Sequence, residues 1–229
     1  MRIGGLQKVT LIDYPGKIGA TVFTQGCNFR CPYCHNPELV DAGLYGPPVP
    51  EAEVISFLEK RRGKLDAVTV TGGEPTLQQD LEGFVAALKA MGYFVKVDTN
   101  GSNPDLLARL ITRGLVDYLA MDIKGPLKKY GAIASVAVDT SRVLRSIELI
   151  ISSGVAHEFR TTIVRSQLTP RDLVSIARMI PQARLYVLQR FAPTKVLDDS
   201  FIAAASYSPQ ELSTIRKSLE KEPVPVIIR

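Results

Sequence analysis

Segments of strand character alternate with segments of helix character along this chain. That alternation predicts an α/β fold whose parallel strands are joined by right-handed crossovers. Six such units can be counted, too few to close an eight-fold barrel, so the expected form is a curved, open partial barrel of about six strands. No repeat, low-complexity segment or linker interrupts the 229 residues, so one domain over 1–229 is expected. A domain of that size buries on the order of 70–75% of the surface its unfolded chain exposes, and needs no disulfide staples.

The first expected strand, 19–25, is short, β-branched and aromatic. A connection over 37–50, with Gly43, Gly46, Pro47 and Pro48, could serve as a lid. Residues 51–62 carry Val54, Ile55 and Leu58 at helical spacing. A second strand is expected at 66–71, then a helix at 81–91 with Phe84, Val85 and Leu88 on one face. The third strand falls at 93–98. The helix at 104–113 starts on Pro104 and stops before Gly114. The fourth strand is 117–123, followed by a helix at 141–153 with Gly154 beyond its end. The fifth strand is 158–164. Thr169 and Pro170 open a helix that runs to Met179, and Pro181 ends it. The sixth strand is 184–189. An irregular stretch, 191–207, precedes a helix at 209–221, and 224–228 is a candidate edge strand.

Hydrophobic residues make up 45% of the chain and charged residues 22%, both ordinary for a soluble globule. No apolar run approaches the ~20 residues of a membrane span. The opening Met1-Arg2-Ile3-Gly4-Gly5 lacks the apolar core of a signal peptide. A cytoplasmic protein with reduced thiols and no membrane partner is expected. The net charge of +5 is spread along the chain; its densest run, Lys60, Arg61 and Arg62 with Lys64 beyond, closes a helix where cations suit the dipole. That reads as a solvated helix end and not as a nucleic-acid site.

All three cysteines lie in one stretch, Cys27-Asn28-Phe29-Arg30-Cys31-Pro32-Tyr33-Cys34-His35-Asn36, at spacing C-x3-C-x2-C. Three thiolates on one loop leave a tetrahedral metal, or one iron of a four-iron cube, with an open position. Structural zinc normally takes four Cys or His ligands. His35 is adjacent in sequence to Cys34 and awkward for the same tetrahedron, and the other histidine, His157, is remote. A disulfide with a leftover thiol conflicts with the absence of an export signal. Spacing alone favours an iron–sulfur site over zinc and over free thiols, and leaves all three open.

With Tyr33 in the aromatic slot, C-x3-C-x-aromatic-C resembles the signature of the radical S-adenosylmethionine (SAM) enzymes. Cys34-His35-Asn36 and the upstream Asp13-Tyr14-Pro15-Gly16 are similar to the activating enzymes of glycyl-radical proteins. Residues 5–39 resemble, in particular, the longer activators of anaerobic ribonucleoside-triphosphate reductase. The likeness extends over nearly the whole chain and weakens after about Val164. It implies an open partial (β/α)6 barrel of the radical SAM type, a [4Fe-4S] cluster on Cys27, Cys31 and Cys34, and SAM chelating the fourth iron. A flavodoxin or ferredoxin would supply the electron. The resulting 5′-deoxyadenosyl radical would take a hydrogen atom from a glycine of the partner reductase. The alternatives within this family are a small-molecule enzyme, such as one making a deazapurine precursor, or an activator of pyruvate formate-lyase. Outside it, a zinc-binding adaptor on an α/β scaffold is the alternative. With three cysteines in all, no auxiliary cluster can be held by cysteine.

Other motifs fall where strands are expected to end, the ligand side of such sheets. Thr71-Gly72-Gly73-Glu74-Pro75 follows the second strand. Alone it would read as a tight turn with a capping Glu, but its place one unit after the cysteines favours a ligand role. In the family the matching segment binds the SAM amino group, which assigns Gly72, Gly73 and Glu74. Asp98 and Thr99 end the third strand; Asp122 and Lys124 end the fourth, on one face by alternation. An internal ion pair explains them on chemistry alone. The resemblance implies that Asp98, Thr99 and Asp122 help bind a monovalent cation near SAM and that Lys124 contacts SAM. Arg160 and Thr162 on the fifth strand and Gln189 at the end of the sixth suit either the adenosine and carboxylate of SAM or a polar core. Asp13 reads as a turn residue; the resemblance implies that it helps hold the substrate's glycyl loop.

Overall fold

The computed structural model describes residues 1–192, 194–204 and 206–229. One sheet of eight strands follows chain order: β1 (Ile3–Thr10), β2 (Gly19–Thr24), β3 (Ala67–Gly72), β4 (Phe94–Thr99), β5 (Tyr118–Asp122), β6 (Ala156–Ile163), β7 (Tyr186–Arg190) and β8 (Val226–Ile228). Neighbours from β2 to β8 pair in parallel, and β1 is antiparallel to β2. No pairing between β1 and β8 closes the sheet among the described residues. The open partial barrel is therefore present, with one strand added at each edge of the six expected.

The helices are α1 (Pro37–Val40), α2 (Glu51–Lys60), α3 (Leu81–Ala90), α4 (Pro104–Thr112), α5 (Tyr130–Ala134), α6 (Thr140–Ser152), α7 (Pro170–Met179) and α8 (Pro209–Leu219); the longer ones cover the outer face, while α1 and α5 pack against the loop after β2. Strand alternation divides the chemistry. Val68, Val70, Val95, Val97, Leu119, Met121 and Phe159 face outward into the apolar core beneath Leu58, Leu88, Leu107, Ile147 and Ile176. Thr69, Thr71, Lys96, Asp98, Asp122 and Arg160 alternate with them and face the concave side. Parallel registers align these rows across the sheet, for example Thr71 beside Val70↔Val97 and Asp122 opposite Arg160.

The cap read from sequence at Thr169 is made: Thr169 accepts from the Asp172 N–H in a reciprocal capping box. Asn103, not singled out from sequence, caps α4. The missed elements have local causes. β1 carries Gly4 and Gly5, residues depleted in strands; a Cβ on Gly4 would stand 2.5 Å from Leu39 and 2.7 Å from Gln25. α5 is too short to show a period. The 37–50 connection contains α1 and is held at its far end, where the Val49 N–H donates to Ile3 O at 2.7 Å and Gln25 Nε2 to Gly46 O at 2.9 Å. No helix among the described residues is long and apolar enough to cross a membrane.

Phe159 is fully buried between sheet and helices. Phe159→Ala should cost about 3–5 kcal/mol, read as a lowered midpoint in anaerobic urea denaturation; a change below about 1 kcal/mol would contradict this packing.

Candidate active site

The loop after β2 carries the cysteines and is pinned from three sides. The Arg30 N–H donates to Ala134 O at 2.8 Å, the Asp198 N–H to Pro32 O at 3.0 Å, and Phe29 packs edge-on to Tyr130. The turn after β3 is pressed against it: the Gly73 N–H donates to Thr24 O and the Glu74 N–H to Gly26 O, at 2.8 and 2.7 Å. A Cβ on Gly73 would stand 2.1 Å from Gly26 O, and Gly72 has φ +115°. These two glycines are required by the contact with the cysteine loop, beyond any need to approach a ligand.

A cavity of about 210 Å³, open to solvent, lies over the C-terminal ends of β3 to β7. It is lined by Cys27, Cys31, Cys34, Tyr33, Gly72, Gly73, Glu74, Asp98, Thr99, Asp122, Lys124, Arg160, Thr162 and Gln189. Every residue expected at the cluster and SAM site thus meets in one place, although the motifs span more than 160 residues of sequence. Asp13 is apart. It lies in the β1–β2 connection, and its carboxylate reaches the middle of β2, where it accepts from Thr21 Oγ1 at 2.6 Å. Thr21 is the third residue of β2, so three residues of extended strand, roughly 10 Å, separate that carboxylate from the end of β2 that leads into the cysteine loop.

Arg160 organises the polar wall. Its Nη1 is 3.0 Å from Asp98 Oδ2 and its Nε 2.7 Å from Asp122 Oδ1. Lys96 Nζ lies 2.6 Å from Asp98 Oδ1, and Lys124 Nζ 3.1 Å from Asp122 Oδ2. Burial works to raise both carboxyls. Arg160 with Lys96 on Asp98, and Arg160 with Lys124 on Asp122, outweigh it and hold both below the usual carboxylate range.

Glu74 lines the cavity with its carboxylate already engaged. Its carboxylate is 1% exposed. Oε1 accepts from the Thr76 N–H and from the Thr76 and Thr99 hydroxyls, and Oε2 accepts from the Asn100 N–H at 2.6 Å. It ties the β3 turn to the end of β4 and sets the backbone of Gly72 and Gly73. Burial pushes its carboxyl up, against four hydrogen bonds that pull it down.

The thiols are also pushed up, Cys27 to about 12 by burial with Glu74 adding to it, and Cys31 and Cys34 in the same direction by burial. A metal takes these ligands as thiolates, so its binding releases their protons. The Phe29 N–H points at Cys27 Sγ at 3.4 Å, a contact that suits a thiolate. Three sulfurs and no fourth cysteine fit a cluster with one open position; the amino and carboxylate groups of SAM fit the acceptor-rich turn and the cationic wall beside it.

Lys96 and Asn100 were not singled out from sequence. Lys96 stands two residues before Asp98, and alternation puts both on the concave face. Asn100 Nδ2 donates to Asn28 Oδ1 at 2.8 Å and so joins the end of β4 to the cysteine loop.

The chain matches the Radical SAM superfamily over residues 21–180. A Methanocaldococcus jannaschii protein assigned to the glycyl-radical enzyme activating enzymes is 34% identical over 233 aligned residues, covering 99% of this chain and 95% of that protein. The pyruvate formate-lyase-activating enzyme of Listeria monocytogenes is 34% identical over 133 residues, covering 54% of this chain and 53% of its own. Streptococcus suis SuiB bound to S-adenosylmethionine superposes with TM-score 0.68 at 12% identity, over 90% of this chain and 48% of that one. A likeness at that identity concerns the fold alone.

The depressed carboxyls give a pH signature. Asp98 and Asp122 contribute stability above the unfolded aspartate pKa of about 3.9 and lose it as pH falls through their lower folded values. Urea midpoints of the ligand-free chain should hold from pH 7 to 5 and fall steeply below 4. Asp98→Asn should flatten that fall, and an unchanged slope would count against the network.

Proposed function

The chain belongs to the radical SAM superfamily, among the glycyl-radical-enzyme activating enzymes, and on that premise we propose that its partner is an anaerobic ribonucleoside-triphosphate reductase. Members of the superfamily use a [4Fe-4S] cluster and SAM, which together supply a one-electron reduction and a 5′-deoxyadenosyl radical. The convergence of three thiols and a cation-rich wall in one cavity carries the site assignment. The resemblance of residues 5–39 to the longer reductase activators supports the choice of partner.

Cys27, Cys31 and Cys34 are assigned to the cluster. Gly72 and Gly73 offer backbone acceptors to the SAM ammonium, and Glu74 fixes their turn. Lys124 and Arg160 face the SAM carboxylate, oriented by Asp122 and Asp98. Thr99 locks Glu74 in place. Gln189 and Thr162 border the adenosine, and Tyr33, buried against Phe191, walls the cavity from water. Asp13, whose carboxylate meets Thr21 in the middle of β2, is assigned to the partner's glycine-bearing segment. The step on the partner moves a hydrogen atom from a glycine α-carbon, so no side chain here acts as general acid or base. A flavodoxin or ferredoxin is the proposed electron donor.

Anaerobic reconstitution, reduction and addition of SAM with the same organism's reductase should give 5′-deoxyadenosine together with a glycyl radical in the electron paramagnetic resonance spectrum. Cys31→Ala should lose cluster and deoxyadenosine alike. Deoxyadenosine without a glycyl radical would contradict the partner and point to another glycyl-radical protein or to a small molecule, for which the 7-carboxy-7-deazaguanine synthase of Rhodospirillum rubrum, 37% identical over 39% of this chain, sets the precedent.

A further inference from the structure

Two carboxylates at the ends of adjacent strands, with hydroxyl oxygens between them, form the kind of all-oxygen pocket that draws a hard cation. Asp98 and Asp122 answer to that description, and so raise the question of what balances their charge. The balance is already present in the chain. Lys96 is 2% exposed, and its ammonium lies 2.6 Å from Asp98 Oδ1. The second oxygen of Asp98 is taken by Arg160 at 3.0 Å and by the Thr71 hydroxyl at 3.1 Å. Asp122 is taken by Arg160 and Lys124. Three fixed cations therefore meet two carboxylates. Glu74, the other carboxylate lining the cavity, pairs with none of these three cations; its oxygens accept from Thr76, Thr99 and Asn100.

The wall thus carries one cation more than its own carboxylates require. That excess suits one further anion, the carboxylate of an amino-acid-like ligand, and repels a further cation. The covalent attachment of Lys96 also matters. A lysine ammonium held two residues from Asp98 on the same strand face is present at any salt concentration, whereas a free ion must be bound from solution.

We infer that the Lys96 ammonium is the built-in counter-ion of this site, taking the side of Asp98 that a bound monovalent cation would need, so that SAM binds here without added sodium or potassium. Lys96 is a positioning residue in this role: it sets Asp98, which sets Arg160. The inference rests on the assignment of SAM to this cavity.

The test measures SAM affinity of the reconstituted, cluster-bearing protein by equilibrium dialysis in choline, sodium and potassium chloride at equal ionic strength. Wild-type affinity should agree among the three salts within about twofold. Lys96→Met keeps the stem and removes the charge; it should bind SAM about tenfold or more weakly in choline and regain affinity in sodium or potassium, with iron content unchanged. Lys96→Arg should stay indifferent to the salt. A wild-type affinity that rises about tenfold or more with sodium or potassium would overturn the inference, and that arm stands even if Lys96→Met fails to fold. Lys96→Met binding as tightly as wild type in choline would overturn it too. An iron-loaded wild type that binds no SAM in any salt would instead remove the cavity assignment, and this inference with it.

Discussion

An Arg160 guanidinium bridging Asp98 and Asp122 inside an open barrel is the interaction on which this site depends. The outer face of the sheet is filled by apolar side chains under helices. The concave face has no layer to cover it, so its polar groups must satisfy one another or a ligand. Arg160 does this across three adjacent strands, reaching β4 and β5 from β6 with a planar fork that lysine lacks. Lys96 and Lys124 close the two outer ends of the same chain of charges. Such a network is strongly destabilised by loss of one member, because the survivors remain buried. It therefore fixes the relative positions of three strand ends, and the cavity above them inherits that precision.

The second constraint is the contact between the cysteine loop and the β3 turn. Gly73 lies against Gly26, Glu74 reaches to the end of β4, and Asn100 reaches back to Asn28. This ring of contacts joins the segment that carries the thiols to the segment that offers backbone acceptors. Sulfur donors and ligand acceptors are held in one frame before any cofactor arrives, which lowers the ordering cost of binding. The raised thiols are the counterpart: the same burial that shields a cluster pushes the free thiols up.

Much of this was legible in the sequence because its signals are local. Cysteine spacing, the alternation of Asp122 with Lys124, and strand–helix alternation each lie within a few residues or recur along the chain. The placement of motifs at successive strand ends followed from the parallel crossover rule alone. What stayed hidden was set by tertiary contact. β1 is a strand because β2 offers it an edge, despite Gly4 and Gly5. That Thr99 and Asn100, some twenty-five residues on, donate to the Glu74 carboxylate shows only in the fold. Lys96 shares a face with Asp98 by simple alternation, yet only the register with β6 reveals that Asp98 has a second cation as partner. Asp13 shows the converse: its motif is close in sequence to the cysteines, but the antiparallel turn sets its carboxylate against Thr21 in the middle of β2.

The central claim is that three cysteines hold a four-iron cluster whose fourth iron is left for SAM. Mössbauer spectroscopy of the 57Fe-reconstituted protein, with and without SAM, tests it most directly. The account predicts that one iron site separates from the other three and shifts when SAM is added, while Lys124→Ala weakens the shift at a given SAM concentration. A spectrum in which all iron sites stay the same on SAM binding, or one reporting a cluster with four equivalent cysteine-like sites, would contradict it.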